Sequence, residues 1–318
     1  MKHLFIINPV AGKTVSLEHL EKQIKEAARK EHMDYEIVFT EYPGHATELA
    51  RGACETGEDL RIYACGGDGT LNEVVNGAVG FENAAVTMVP TGTGNDFVKI
   101  FGADRDKFRD PANFADSEVR ALDVVKCCGR YSINVCSVGF DARIGTEVHK
   151  YTRIPLVGGK LAYNISVVVN IIKGIHQPMR ITVDGERVFQ GRHSLVCVCN
   201  GRYYGGGYMP VPEAEPDDGY IDCLIVKKVS RLKLAQLIGK YAKGLYSDMP
   251  DVITPMSPLL ISSVFTLTVS AYSRSASRRF STSIWRSFAL PGIITFLRIF
   301  FSYGLSSTFW RSSSSTRP

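Results

Sequence analysis

Along the first 125 residues, apolar runs alternate with amphipathic segments in a strand-then-helix order. Residues 1–7 read as a short buried strand, and Ser16 can cap a helix whose apolar positions recur at helical spacing. Residues 35–40, 60–64 and 86–89 have the apolar pattern of further strands. This repetition predicts an α/β domain with a doubly wound parallel sheet through about residue 125.

From residue 126 onward, strand signals dominate. Residues 181–189 predict a hairpin around an Asp-Gly turn, and residues 195–199 and 221–226 predict two more strands. We therefore expect an α/β domain over 1–125, a mostly antiparallel β-rich domain over 126–250, and a separate segment over 251–318.

A glycine-rich turn follows the third predicted strand. It reads Cys-Gly-Gly-Asp-Gly-Thr-Leu-Asn-Glu over residues 65–73 and leads into a helix-like segment. Glycines let backbone N–H groups approach a phosphate, and a helix N-terminus adds donors and partial positive charge. Asp68 would repel phosphate unless a divalent cation lies between them. A tight turn that binds nothing is the alternative for one such loop.

Two more polar loops follow predicted strands. Residues 8–13 read Asn-Pro-Val-Ala-Gly-Lys, and residues 90–97 read Pro-Thr-Gly-Thr-Gly-Asn-Asp-Phe. Because parallel strands end at one edge of the sheet, the three loops should converge on one crevice. That convergence predicts a phosphate site more specifically than any one loop does.

Composition is that of a globular enzyme. The 318 residues are 45% hydrophobic and 22% charged, with a formal net charge of +5, which fits basic faces or contact with an anionic membrane surface and does not indicate nucleic-acid binding. The eight cysteines show no CxxC spacing, so they read as reduced core residues of a cytoplasmic protein. The first residues lack the pattern of a secretion signal.

The three loops resemble those of the diacylglycerol kinase catalytic family, which includes small bacterial lipid kinases and the sphingosine and ceramide kinases. The resemblance continues through Asn-Val-Cys-Ser-Val-Gly-Phe-Asp-Ala at 134–142, Asn-Gly-Arg-Tyr-Tyr-Gly-Gly-Gly at 200–207 and the acidic segment at 212–222. Six motifs in order over roughly 250 residues are unlike a chance match. The resemblance implies two domains with the active site in the cleft between them, and an ATP-dependent kinase acting on a lipid hydroxyl.

The resemblance and the charges together suggest roles for the loop residues. Mg²⁺ would screen the phosphates of ATP from the catalytic carboxylates Asp68 and Asp96. The expected nucleotide-binding residues are Asn8, Thr40, Gly66, Gly67, Asp68, Gly69, Thr70, Leu71, Asn72, Thr93 and Asn95. Lys13 could contact phosphate or be solvated, and His45 could have a family role or simply begin a helix.

A second acidic cluster lies at a turn between strands. The resemblance implies a structural Mg²⁺ held by Asp217 and Asp218 with the carbonyls of Glu215 and Tyr220, which are the hard oxygen ligands this ion prefers. An ordinary Asp-Asp-Gly turn is the alternative.

The C-terminal segment departs from the family. Related kinases have a general base in a second Asp-Gly-Glu motif near the C-terminus, and none follows Asp251; residues 184–186 have those letters but lie in the predicted hairpin, so they read as structural. Residues 252–318 contain no Asp, Glu, Lys, Asn, Gln or His, whose codons all have adenine in second position. These features predict an out-of-frame translation, and back-shifting 280–286 gives a pattern similar to the missing motif. A membrane anchor over 288–305 is the alternative, which Pro291 and the central Arg298 weaken.

The expected function is therefore an ATP- and Mg²⁺-dependent lipid kinase, with diacylglycerol as the default substrate and with activity impaired by the missing base. It would be cytoplasmic and peripherally bound to the membrane; a homodimer is left open. An NAD kinase shares the Gly-Gly-Asp-Gly loop and is the enzyme alternative, and a non-catalytic nucleotide or lipid sensor is the binding alternative.

Overall fold

The computed structural model describes residues 1–12, 15–151, 154, 159–183, 187–260, 267–271 and 292–303. The chain forms two compact units. One contains residues 1–123 with the described residues from 298 onward, and the other contains residues 124–297.

The first unit contains a parallel sheet with strand order β4-β3-β1-β2. Its elements, in chain order, are β1 Lys2–Ile7, α1 Leu17–Lys30, β2 Asp34–Phe39, α2 His45–Cys54, β3 Leu60–Gly66, α3 Asp68–Ala78 and β4 Ala84–Pro90. Two 3-10 segments follow, Phe97–Arg109 and Pro111–Phe114. Ser16 caps α1 by accepting the N–H of His19, as the sequence predicts.

Strand register brings the loops to one edge of the first sheet. Ile7 pairs with Cys65, and Gly66 pairs with Pro90, so β1, β3 and β4 end side by side. The strands and α3 share a buried core that includes Phe5, Tyr63 and Leu71. The loops are therefore attached to a rigid base, and the predicted doubly wound sheet is confirmed.

The second unit is a largely antiparallel sheet with helices. Its elements are β5 Glu118–Cys127, which begins in the first unit, β6 Arg130–Ser132, β7 Val135–Gly139, α4 Phe140–Tyr151, α5 Gly159–Lys173, β8 Gln177–Val183, β9 Arg187–Cys199, β10 Tyr220–Lys227, α6 Arg231–Tyr241, β11 Ile253–Leu260, β12 Leu267–Ala271 and β13 Gly292–Tyr303, which ends in the first unit. The hairpin around residues 184–186 is confirmed by the pairing of β8 with β9, although the turn itself lies outside the described residues.

The described part of the C-terminal segment contains strands. β11 pairs with β10 and β12 pairs with β8, because these runs keep an apolar, β-prone pattern. Residues 292–303 form a strand rather than part of a helical anchor. The rest of 288–305, and the back-shifted segment 280–286, lie outside the described residues. Among the helices that the structure describes, none is long and apolar enough to cross a bilayer.

Candidate functional site

The three polar loops of the first unit are bonded to one another. Asn8 donates from Nδ2 to the hydroxyl of Thr70 at 3.1 Å. The backbone N–H of Thr91 donates to the carbonyl of Gly66 at 2.9 Å. A Cβ at Gly12, where φ is +74°, would lie 1.7 Å from the carbonyl oxygen of Thr91, so this contact requires glycine. The loops after β1, β3 and β4 form one surface, as the sequence predicts.

Two glycines bring the second and third loops together. A Cβ at Gly92 would lie 2.5 Å from the Cα of Gly67, which begins α3 as its N-cap. Side chains at this point would separate the loops. Because neither glycine has a side chain, backbone N–H groups line the surface beside the N-terminus of α3. An anion is favoured at such a helix end.

Asp68 and Asp96 converge on the third loop. A Cβ at Gly94 would lie 2.9 Å from Oδ2 of Asp68 and 3.8 Å from Oδ2 of Asp96, so both carboxylates border this glycine. Asp96 is 4% exposed and pairs with Lys99 at 2.5 Å.

The electrostatics of Asp68 reflect this setting. Burial raises its pKa, the N–H groups of Phe97 and Asp96 oppose that rise, and the charge of Asp96 adds to it. Two carboxylates so close would gain from a cation between them.

Asn95 has an unusual backbone and an unused acceptor. Its φ is +47°, and its Nδ2 donates to the carbonyl of Gly92 at 2.7 Å. The Oδ1 atom is buried and accepts no hydrogen bond from the protein. A buried acceptor without a protein donor is costly, so it is suited to a donor from a ligand or from water bound to an ion.

The remaining predicted nucleotide residues lie at the same edge. The backbone N–H of Thr40 donates to the carbonyl of Ile7 at 2.9 Å, which places Thr40 beside the end of β1. Thr93 is exposed on the third loop, and Gly69 and Asn72 are in the first turns of α3. Leu71 is buried in the core and its N–H donates to Gly67, so its side chain takes no part in the surface.

Of the two basic candidates, Lys13 and His45, Lys13 lies outside the described residues. His45 accepts the N–H of Glu41 at its Nδ1 atom, 3.1 Å away, and stacks on Tyr42 with ring centroids 4.5 Å apart. The ring therefore supports the turn before α2.

The second acidic cluster is a turn before β10. Oδ1 of Asp218 accepts the N–H of Tyr220 at 2.9 Å, and Gly219 has φ +77°. The carboxylate of Glu215 pairs with Arg202 at 3.1 Å, and the resemblance implies that Glu215 binds the ion through its carbonyl. Within the described ranges, no three Asp, Glu, His or Cys side chains gather as metal ligands. The fit to Mg²⁺ thus depends on Asp217, Asp218 and turn carbonyls.

The second unit also contains an apolar cavity of about 340 Å³, which sequence reasoning did not find. Its walls come from α4, α5, α6 and the sheet, and include Phe140, Ile144, Val167, Leu195, Leu234 and Leu237. Among its described lining residues, Asp141 is the one carboxylate; its Oδ2 accepts the hydroxyl of Tyr204 at 3.0 Å, and burial raises the pKa of this acid. An apolar pocket of this size with a single polar cluster suits a small apolar ligand or an alkyl chain.

The two asparagine motifs of the second unit bind each other. The carbonyl of Asn134 accepts the N–H groups of Asn200 (2.8 Å) and Gly201 (3.0 Å), and its Nδ2 donates to the carbonyl of Tyr203. Nδ2 of Asn200 donates to the carbonyl of Ile133 at 2.8 Å. These motifs therefore fix the path of the chain that leads to Tyr204 and the cavity.

Comparison with known proteins gives two family matches, one for the N-terminal part of the chain and one for the part that follows it. Residues 2–127 match the family described as diacylglycerol kinase catalytic domain, and residues 134–257 match the family described as YegS C-terminal NAD kinase beta sandwich-like domain. The chain is 31% identical over 252 residues to a diacylglycerol kinase of Bacillus subtilis, covering 78% of this chain and 81% of that protein. It is 31% identical over 265 residues to a diacylglycerol kinase of Staphylococcus aureus, covering 82% of each.

A solved structure gives a similar result for the fold. The crystal structure of a diacylglycerol kinase from Bacillus anthracis aligns with a TM-score of 0.65 at 23% identity, covering 95% of this chain and 96% of that one.

Proposed function

Because this chain belongs to the bacterial diacylglycerol kinase family, a kinase family that uses ATP, we propose that it transfers the γ-phosphate of ATP to a lipid hydroxyl. Diacylglycerol is the proposed substrate and phosphatidic acid the product. One observation carries the proposal. Asp68 and Asp96 border the same glycine, Gly94, where three glycine-rich loops are hydrogen-bonded to one another.

The loops supply what phosphoryl transfer needs. Backbone N–H groups at the start of α3 and in the loop after β4 would bind the phosphates, where positive partial charge is already oriented. Asn8 and Thr70 keep the first loop against the second, so the donors need little rearrangement on binding. Lys99 neutralises part of the charge of Asp96.

Mg²⁺ is the proposed cofactor. Asp68 and Asp96 would hold it, and when bound it would neutralise charge on the phosphates. The raised pKa of Asp68 and the unused Oδ1 of Asn95 support a cation with bound water at this place. In the second unit, Asp217, Asp218 and the carbonyls of Glu215 and Tyr220 would hold a second, structural ion.

The apolar cavity supports a lipid substrate over a dinucleotide. Its aliphatic and aromatic walls match hydrocarbon, whereas the polar NAD molecule would leave few of its hydrogen-bonding groups paired there. Asp141 and the hydroxyl of Tyr204 would face the polar part of the lipid. A membrane-resident substrate also requires peripheral contact with the bilayer.

We further propose that this particular chain is a poor catalyst. The lipid hydroxyl must lose a proton as its oxygen attacks the γ-phosphate, and loss of a general base typically costs ~10²–10⁴ in rate. The second family match ends at residue 257, close to where the composition changes. Resequencing the gene across codons 249–262 tests the frameshift; an intact reading frame without a compensating Asp-x-Glu would contradict it.

Labelled ATP and a panel of acceptors distinguish the candidate functions. Label in a chloroform phase indicates lipid phosphorylation, label on NAD indicates the dinucleotide kinase, and ATP binding without turnover by a frame-restored chain indicates a sensor. Equal lipid phosphorylation by this chain and by the frame-restored chain would contradict the proposed impairment.

A substitution in the cavity wall tests the lipid assignment. Gly145 lines the cavity, and a Cβ there has open space around it. In the frame-restored chain, Gly145→Leu should lower activity on long-chain diacylglycerol by about tenfold or more and leave ATP binding unchanged, because it fills the pocket. Gly239→Leu on α6 is the control, since Gly239 also has open space but lies outside the cavity. An unchanged KM for the lipid in Gly145→Leu would contradict this use of the cavity.

A further inference from the structure

Helix α5 carries apolar residues on the side that faces outward as well as on the side that packs in the protein. Leu161, Ile165, Val168 and Ile172 recur at spacings of four, three and four, which places them on one face. That face points outward: Leu161 is 50% exposed, Val168 56% and Ile172 70%, while Ile165 is half-buried.

The inward side of the same helix has small and polar residues against α4, and beside them Tyr163, Val167 and Ile171 pack on the apolar core of the unit. Ala162, Ser166 and Asn170 are fully buried. The hydroxyl of Ser166 donates to the carbonyl of Ile144 at 3.0 Å, and Nδ2 of Asn170 donates to Glu147 at 3.1 Å, both on α4. This packing of α5 on α4 therefore leaves the aliphatic stripe on the outward side, largely exposed.

Cations surround the C-terminal end of the stripe. Arg231, at the start of α6, donates to the carbonyls of Ile171 and Ile172 at 3.1 and 3.2 Å, which places α6 beside the end of α5. The next residue, Leu232, is 86% exposed. Burial lowers the pKa of nearby His176, and Arg192, Lys228 and Arg231 lower it further, which places these three cations around it.

Acidic groups are scarce on this surface. Neither α5 nor α6 contains Asp or Glu. Glu147 of α4 is already paired with Lys173 at 2.8 Å. The surface thus combines exposed aliphatic side chains with unbalanced positive charge, which is the combination that binds the interface of an anionic membrane.

We infer that the outward face of α5, together with Leu232 and the cations at the start of α6, is the surface through which the protein docks on an anionic lipid bilayer. This inference rests on the proposed function, because a lipid substrate is the reason for the protein to bind a bilayer. The adjacent face of α5 carries Val167, which lines the apolar cavity, so docking here would bring hydrocarbon close to that cavity. A second copy is a poorer occupant, because a symmetric pairing of this face would oppose like charges.

Vesicle cosedimentation of the full chain tests the inference. The parent should bind vesicles of equal parts phosphatidylcholine and phosphatidylglycerol and bind phosphatidylcholine vesicles weakly. Val168→Ser/Ile172→Ser should lower partitioning onto the mixed vesicles by about tenfold or more, because two exposed aliphatic side chains no longer enter the interface. Lys228 precedes α6, and Lys233 is exposed in its first turn. Lys228→Gln/Lys233→Gln should lower partitioning by about tenfold, and only on the anionic vesicles. Val188→Ser/Leu245→Ser is the matched control, since both residues are exposed in the same unit.

The outcomes separate this inference from the kinase assignment. Parental binding by Val168→Ser/Ile172→Ser, or an equal loss in the control, would overturn the docking surface. The docking surface would also be overturned if the parent is a dimer in the absence of vesicles and Val168→Ser/Ile172→Ser is a monomer. In the frame-restored chain the variant should lose activity on vesicle-borne diacylglycerol and keep it on a short-chain, monomeric one. Loss of vesicle binding in a chain that phosphorylates no lipid would leave the docking surface standing and reject the kinase.

Discussion

The carboxylate of Asp68 and the backbone of Phe97 are joined by a hydrogen bond, with 3.1 Å between the Phe97 nitrogen and Oδ1 of Asp68. Asp68 begins α3, whereas Phe97 begins the 3-10 segment that follows the loop after β4. One acidic side chain therefore ties two of the three loops together and leaves its Oδ2 atom beside Gly94. Asp68 has both a structural contact and an oxygen directed at the proposed phosphate site.

Asp96→Ala should lower kcat for lipid phosphorylation by about 10²-fold or more in a frame-restored chain. The reason is loss of a carboxylate placed to hold Mg²⁺ against the developing charge on the phosphate. Steady-state assays with saturating ATP would measure it. Asp106→Ala is the control, because Asp106 lies in the segment that follows Asp96 and is exposed beside Arg109. Parental turnover in Asp96→Ala would reject the assignment.

The convergence of the three loops could be predicted from the sequence, because it follows from the geometry of parallel strands. Once β1, β3 and β4 are recognised, their ends must lie at one edge, and the glycines at 12, 67 and 92 are needed where backbones nearly touch. The unused Oδ1 of Asn95 and the pairing of Asp96 with Lys99 could not be predicted, since they depend on side-chain positions set by tertiary packing.

The pH dependence of stability should reveal the charge on Asp68. Its raised pKa means that the folded state binds this proton more tightly than the unfolded state does, so ionised Asp68 destabilises the fold at neutral pH. That cost disappears as the pH falls through the raised pKa. In EDTA, Asp68→Asn should therefore raise the free energy of unfolding at neutral pH, and the gain should shrink as the pH falls through the raised pKa.

Denaturant melts at several pH values measure this effect. Asn can still accept the N–H of Phe97, so the loop contact is kept. Adding Mg²⁺ should reverse the order of stability, because the parent then gains a bound ion that the variant has lost. If Asp68→Asn is no more stable than the parent at neutral pH in EDTA, the charge on Asp68 is not the cost proposed.

Mg²⁺ should raise the melting temperature of the parent, and Asp218→Ala should weaken that response. At a hundredfold excess over Kd, one bound ion stabilises a fold by about 2.7 kcal/mol, which amounts to several degrees for a unit of this size. Asp251→Ala serves as the control because Asp251 is exposed outside the turn. A parental melting temperature that does not respond to Mg²⁺ would reject the ion in the turn before β10.

The apolar cavity and the outward aliphatic stripe of helix α5 show where sequence reasoning stops. Leu161, Val168 and Ile172 have ordinary helical spacing, which predicts a buried face. Only the packing of Ser166 and Asn170 against α4 shows that the opposite face is the buried one. In the sequence, Asp141 is likewise a single acid in an apolar run. Only the structure shows that α4, α5 and α6 enclose a cavity beside it.

The last prediction concerns the two asparagine motifs of the second unit. A Cβ at Gly201 would lie 2.1 Å from Oδ1 of Asn134, so Gly201→Ala should lower the free energy of unfolding by about 1–3 kcal/mol through overpacking. Asn134→Ala should cost about 1–3 kcal/mol, because the carbonyl of Tyr203 loses its donor.

The double variant distinguishes a direct contact from two independent effects. Removing the Asn134 side chain makes room for the Cβ at position 201, so the double variant should be more stable than the sum of the single changes predicts, by at least about 0.5 kcal/mol. Gly239→Ala is the control for a glycine on α6 with open space around it, and it should be neutral or stabilising. Simple additivity of Asn134→Ala and Gly201→Ala in chemical denaturation would mean that the two motifs are not held together by this contact.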